Sequence, residues 1–262
     1  MPITKLLTKC PAPRTFSSLH AFAKVTGAGS IGVAPDGSVW VTTGTHGVIA
    51  HLSSSGAAMA SYNEPSPEGV VVLPSGGVLF ADQADDRIDQ LDPATLEVST
   101  FLQLSPIAGV PGLDGLGEDA ANSLLIIPDT ERDQVLSVPL TGGSPTPLAT
   151  GVPHPIGAAV GPGGVIEVAS GGTSGLLAVP ASGGAAKPYQ GLSQLSAVAV
   201  KGLLIYVTAP AKHEVIAFNP ATGHMLALVT GIGKPQGLAI LTDGRLVVSD
   251  AATGTLAALT SC

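Results

Sequence analysis

The chain has 262 residues and a net charge of −8; 45% of the residues are apolar and only 11% are charged. The acidic balance leaves no basic face to neutralise phosphates, which excludes nucleic acid as a partner. No apolar run approaches the roughly 18 residues that a membrane span requires, and Met1 is not followed by the basic segment and apolar core of a signal peptide.

In chain order, the first apolar stretch covers residues 16–25 and stands outside any repeat. A phrase then recurs six times: a small or turn residue, Gly or Ala, then an alternating apolar strand. It reads Ser30-Ile31-Gly32-Val33, Glu68-Gly69-Val70-Val71, Asp114-Gly115-Leu116, Ile156-Gly157-Ala158, Ser196-Ala197-Val198 and Gln236-Gly237-Leu238. Its Gly/Ala positions lie 37 to 46 residues apart. A tight turn comes next in most units, as in Pro35-Asp36-Gly37 and Asp243-Gly244, and leads to a second apolar strand. A third strand begins six residues after the column Thr43, Asp82, Asp129, Ser170, Ala209 and Asp250. A second hairpin turn, such as Asn219-Pro220-Ala221, leads to a fourth.

Four short antiparallel strands in a unit of about 40–45 residues make a propeller blade. A β-sandwich would not repeat one four-strand phrase in register. The expected fold is therefore all-β, a single six-bladed β-propeller domain over residues 1–262, with residues 1–15 as an N-terminal extension. The sixth unit has no fourth strand of its own, and a ring must hide its edges. Residues 16–25 are expected to supply that strand and close blade 6. This closure sets Cys10, ahead of the incoming strand, opposite Cys262, at the end of the outgoing one. A disulfide is expected between them, against the alternative of two unrelated thiols, and it implies an oxidising, extracytoplasmic compartment.

The phrase G-[VL]-[AV]-x-x-x-x-G-x-[LV]-[WFIV]-[VA]-[TAS]-[DT], over residues 32–43, 69–82 and 237–250, resembles the NHL-repeat and SMP-30/gluconolactonase-like propellers. Relatives of that shape include calcium-dependent lactonases, virginiamycin B lyase-like and strictosidine synthase-like enzymes, and non-catalytic NHL binding modules. In the lactonase type, metal ligands stand immediately before the Gly that opens each innermost strand. That column here is Ile31, Glu68, Asp114, Ile156, Ser196 and Gln236. The resemblance implies a divalent cation such as Ca2+ on Glu68 and Asp114, but the column lacks Asn and carries two Ile.

The start of each inner strand lies at the mouth of the central channel, so carboxylates from neighbouring blades converge there. Glu68 and Asp114 are the expected catalytic acid/base or cation ligands; the competing reading makes each a turn cap. Ile31, Ile156, Ser196 and Gln236 are expected to line the pocket, together with His46, His154 and His213 from loops on the same face. Asp82, Asp129 and Asp250 read as turn-fixing residues, His20, His51 and His224 as structural strand residues, and Trp40 as core between blades.

The expected function is a monomeric, secreted enzyme acting on a partly hydrophobic small molecule. It would be a lactone or ester hydrolase, with cyclisation or condensation as further options on the same pocket. The reading from another class is an NHL-like binding module without chemistry. The cysteines carry the first prediction. A non-reduced digest should show the Cys10 and Cys262 peptides linked in mass spectrometry, and unlinked peptides would remove the case for an oxidising compartment.

Overall fold

A computed structural model of the chain describes residues 16–110 and 112–261. They form six four-stranded antiparallel sheets. Blade 1 runs Ile31–Val33, Val39–Thr42, Val48–Leu52 and Ala58–Asn63, from the axis outwards. The inner strands of blades 2 to 6 are Pro67–Val72, Gly117–Asp119, Pro155–Val160, Val198–Lys201 and Pro235–Ile240. Blade 6 takes its outermost strand from Phe16–Lys24, which pairs antiparallel with Thr255–Ser261 from Phe16↔Ser261 to Lys24↔Thr255. The expected closure is thus present. Cys10 and Cys262 lie outside the described residues.

Each sheet is apolar on both faces and stacks on its neighbours, so the cores lie between blades. There is one cluster per interface. Trp40 and Ile49 of blade 1 pack with Val70, Val72 and Phe80 of blade 2. The ring closes where Phe22, Val247 and Ala258 of blade 6 meet Ile31, Val39 and Val41 of blade 1. Trp40 is 2% exposed and stacks on His51, with ring centroids 4.0 Å apart.

The strand registers sort the inner strands into rings around the axis. Val39, Val78, Leu125, Ile166, Ile205 and Leu246 hold equivalent places in the second strands. Their partners are Val33, Val72, Glu118, Val160, Val200 and Ile240, the lower ring. Alternate residues of a strand share a face, so the next axis-facing ring is Ile31, Val70, Leu116, Ala158, Val198 and Leu238. Above it comes the rim: Gly29, Glu68, Asp114, Ile156, Ser196 and Gln236.

This arrangement corrects the sequence reading in blade 1. Gly29, not Ile31, is the counterpart of Glu68. Gly29 N–H donates to Thr42 O as Ser196 N–H donates to Thr208 O, and Thr42 N–H donates to Ser30 O as Thr208 N–H donates to Ala197 O. Ile31 belongs two residues lower, beside Val70. The slip arose because blade 1 carries Ser30 where four other blades carry Gly, and Gly32 lies two residues on as a decoy.

The glycines have a shared steric cause. A Cβ on Gly69 would run into the backbone of Gly115 and Leu116, one on Gly115 into the carbonyl of Ile156, and one on Gly237 into the carbonyl of Gly29. Each inner strand therefore lies backbone to backbone against that of the next blade. Two hydroxyls reinforce the contact. Thr208 Oγ1 accepts from Ala197 N–H and donates to Gln236 O, both at 2.8 Å. Ser249 Oγ accepts from Gly237 N–H and donates to Gly29 O, both at 2.7 Å. Gly115→Ala should accordingly cost about 1–3 kcal/mol by overpacking. Ser30→Ala, where a Cβ is already accommodated, should stay within about 0.5 kcal/mol. Denaturant midpoints of the two variants check the ring assignment, and equal midpoints would refute it.

Candidate functional site at the channel mouth

Glu68 and Asp114 enter the rim from the inner strands of adjacent blades. Both line a cavity of about 140 Å³ between the rim and the ring below, with Ile156, Ser196 and Gln236 on the same wall. Above them opens a vestibule of about 320 Å³, lined by Thr43, His46, Gln83 and Lys234, whose floor is Glu68, Asp114 and Gln236. Glu68 and Asp114 are half-buried, since the channel they line is open, yet they sit deep within the ring.

Two glycines of blade 1 make room for the Glu68 carboxyl. A Cβ on Gly44 would stand 2.5 Å from Glu68 Oε1, and one on Gly29 3.8 Å from Oε2. Gly44 has φ +52°, a left-handed conformation that glycine adopts freely. Glycine at the blade 1 rim position is therefore what leaves the Glu68 head its space.

Burial raises both carboxyls. Glu68 is pushed up to about 8, first by desolvation and then by the negative charge of Asp114, with Lys234 pulling in the opposite direction. Asp114 is also raised by desolvation, but the charges of His154 and Lys234 both draw it back. Asp114, with two cationic neighbours, ionises first, and its charge then holds the proton on Glu68.

Lys234 was not among the residues read from the sequence. A signal for it existed. Ser66, His154, Gln194 and Lys234 hold one repeat position, two residues before the rim, and the two cations at that position are the ones acting on Asp114. Its backbone is fixed by Asp250, which accepts from Lys234 N–H at 2.8 Å and Gly233 N–H at 3.1 Å. Burial pushes the Asp250 carboxyl up, but these donors and the Thr253 hydroxyl hold it below the ordinary range.

The remaining candidates fall in different places. His46 lines the vestibule, with its ring over Gly27. His154 is held by its N–H to Asp133 Oδ1 at 2.8 Å, with its ring against Gly171. His213 is exposed and does not line the cavity; its Nδ1 lies 2.7 Å from Gly233 O, so it braces the segment that carries Lys234. Asp82 accepts from Ala84 N–H and pairs with Arg87 at 2.8 Å. Asp129 accepts from Arg132 N–H and from Gln134 Nε2 at 2.7 Å. Asp82, Asp129 and Asp250 thus act on their own turns or the adjacent loop.

The donor set does not fit a calcium ion. The rim offers two carboxylates, one amide and one hydroxyl where six to eight oxygens are needed, and a lysine charge already acts on both carboxylates. Among the described residues no three acidic, His or Cys side chains are grouped as metal ligands.

The raised Glu68 carboxyl makes stability depend on pH. From its ordinary 4.5 up to about 8 only the unfolded chain gives up this proton, so native stability falls as pH rises through that window. Glu68→Gln should melt close to wild type near pH 5. Above pH 8 it should be more stable by roughly 1–2 kcal/mol, allowing for screening by channel water. A variant destabilised equally at both values would show Glu68 to be a structural cap.

No protein-family model matches the chain, and no curated protein sequence is similar to it. Solved structures are. A gluconolactonase from Xanthomonas campestris is 13% identical with a TM-score of 0.74, covering 100% of this chain and 99% of that one. A calcium-binding protein, regucalcin, from Agrobacterium tumefaciens is 16% identical with a TM-score of 0.74, covering 91% of each chain. Virginiamycin B lyase from Staphylococcus aureus is 14% identical with a TM-score of 0.69, covering 93% of this chain and 99% of that one. At these identities the likeness establishes the fold, and the chain has the six-bladed propeller architecture of gluconolactonase- and regucalcin-type proteins.

Proposed function

We propose that the protein is a small-molecule enzyme of the hydrolase or lyase type, with its active site at the channel mouth and Glu68 and Asp114 as its acid–base pair. The observation that carries this reading is the opposed environment of two neighbouring carboxyls. Glu68 keeps its proton to about pH 8 beside Asp114, whose own charge is favoured by His154 and Lys234. Paired groups pushed apart in this way divide naturally into acid and base.

In hydrolysis of a lactone or ester, ionised Asp114 takes a proton from the water that adds to the carbonyl carbon. Lys234, from the vestibule wall, stabilises the oxyanion that forms. Protonated Glu68 then delivers its proton to the departing oxygen as the carbon–oxygen bond breaks. In an elimination, Asp114 takes a proton from carbon, the carbon–oxygen bond breaks, and Glu68 again protonates the leaving oxygen. No metal is needed for either proton path, and the rim donors do not make a shell for one. We also place the protein as a monomer in an oxidising, extracytoplasmic compartment. The support is the pair Cys10 and Cys262 in the sequence and the completion of every inter-blade core within one chain.

A panel of γ-lactones and p-nitrophenyl esters tests the reading. kcat/KM should fall above about pH 8, as Glu68 ionises. Glu68→Gln and Asp114→Asn should each lose about 10²–10⁴-fold. Lys234→Gln should move the alkaline limb to higher pH, because the lysine charge favours ionised Glu68. Turnover retained in both carboxyl variants would overturn the assignment. Ligand binding without turnover on any substrate would favour the binding-module alternative.

A further inference from the structure

Below the rim the character of the channel changes completely. The middle ring, Ile31, Val70, Leu116, Ala158, Val198 and Leu238, presents only aliphatic side chains. The lower ring is Val33, Val72, Val160, Val200 and Ile240, interrupted by Glu118 alone. The backbone amides and carbonyls of these strands are committed to sheet pairing. The middle ring borders both the upper cavity of about 140 Å³ and a lower one of about 390 Å³. Roughly 10–15 Å³ admits one water, so the channel has room for a guest. A sugar or peptide there would lose hydrogen bonds with water and find none in exchange.

We infer that this channel takes up a single unbranched hydrocarbon chain whose polar head stops at Glu68 and Asp114. The inference rests on the active-site reading above for the position of the head, and it assigns the substrate to the amphipathic acyl or alkyl compounds. Two observations favour this occupant. Polarity falls along one continuous axis, from Lys234, Gln236, Ser196 and the carboxyls at the top to aliphatic rings below. Ala158 is also the one small side chain of the middle ring, so the passage beside it admits a chain rather than a ring system. From Glu68 to Val72 the path is four strand residues, roughly 13 Å at about 3.3 Å each. At its far end the Glu118 carboxyl, raised by burial and then by the charge of Asp119, breaks the apolar wall.

Calorimetric titration with straight-chain carboxylates, from butanoate to dodecanoate, reads binding without any reaction. Affinity should rise about threefold to fourfold per added methylene and level off once the chain reaches the Glu118 ring. Ala158→Phe should flatten this dependence and leave butanoate binding unchanged. Val160→Thr keeps the shape but adds a hydroxyl, and should weaken decanoate about threefold to tenfold without affecting butanoate. It covers the case that the larger side chain impairs folding. The series is repeated in Glu68→Gln, which removes the proposed acid. Chain-length dependence retained there, in a protein with no turnover, supports the channel whether or not the acid–base reading stands. Turnover of short lactones with no chain-length dependence, or dependence insensitive to both channel variants, would overturn the inference while leaving the site intact.

Discussion

Backbone crowding at the axis is the constraint on which the other features depend. Six inner strands come so close that a side chain on Gly69, Gly115 or Gly237 would penetrate the next blade's main chain. Sheets that meet this tightly bury their faces on each other, so the cores lie between blades and the ring is stable only when closed. Closure in turn requires Phe16–Lys24 to pair with Thr255–Ser261. The same crowding sends alternate residues of every inner strand into one narrow channel. Side chains far apart in sequence, such as Glu68 and Gln236, are brought to a common rim for no reason other than the packing of glycines.

Convergence of this kind carries an electrostatic cost that the rim only partly offsets. Two carboxyls in a confined space both prefer to be neutral. Lys234 and His154, on the repeat position above the rim, favour the charge on Asp114, and Glu68 is left with the proton. The arrangement depends on residues that never enter the cavity. Asp250 receives the backbone N–H groups of Gly233 and Lys234, and His213 holds the Gly233 carbonyl. Two residues that look like independent functional candidates thus work together, holding a third in place. Polar groups spent on a loop's backbone are usually structural; here the loop they fix bears the cation.

The propeller was legible because turns recur at a blade's spacing and because the glycine phrase has a single physical cause. Glu68, Asp114, Ile156, Ser196 and Gln236 emerge from that phrase, and the structure sets all five on one rim. Ile31 does not belong with them. Blade 1 accommodates Ser30 where its neighbours require glycine, so a pattern that searches for glycine lands two residues late on Gly32. Lys234 was missed for a different reason. It lies in the segment Gly233-Lys234-Pro235, outside the strand phrase, and its significance appears only when the loop positions are aligned as well as the strands. The channel's polarity gradient also needed the registers, because a one-residue shift in any inner strand turns its axis-facing side chains into the inter-blade core.

Function in a ring of near-equal units must arise where the units differ. The rim has glycine in blade 1, carboxyls in blades 2 and 3, an isoleucine in blade 4, and a hydroxyl and an amide in blades 5 and 6. Each difference changes the field at one point on the axis. Gly29 and Gly44 give Glu68 its space, and Ile156 lowers the polarity beside Asp114. The lower ring departs from aliphatic residues only at Glu118, in the same blade as Asp114. Blade 3 thus places a carboxyl at both ends of a channel whose walls are otherwise apolar between them. An elongated guest with one polar end meets a matching group only at the end where Lys234 and Glu68 also stand. The direction in which such a molecule enters is therefore set by the blades that break the repeat, while the blades that keep it supply the walls.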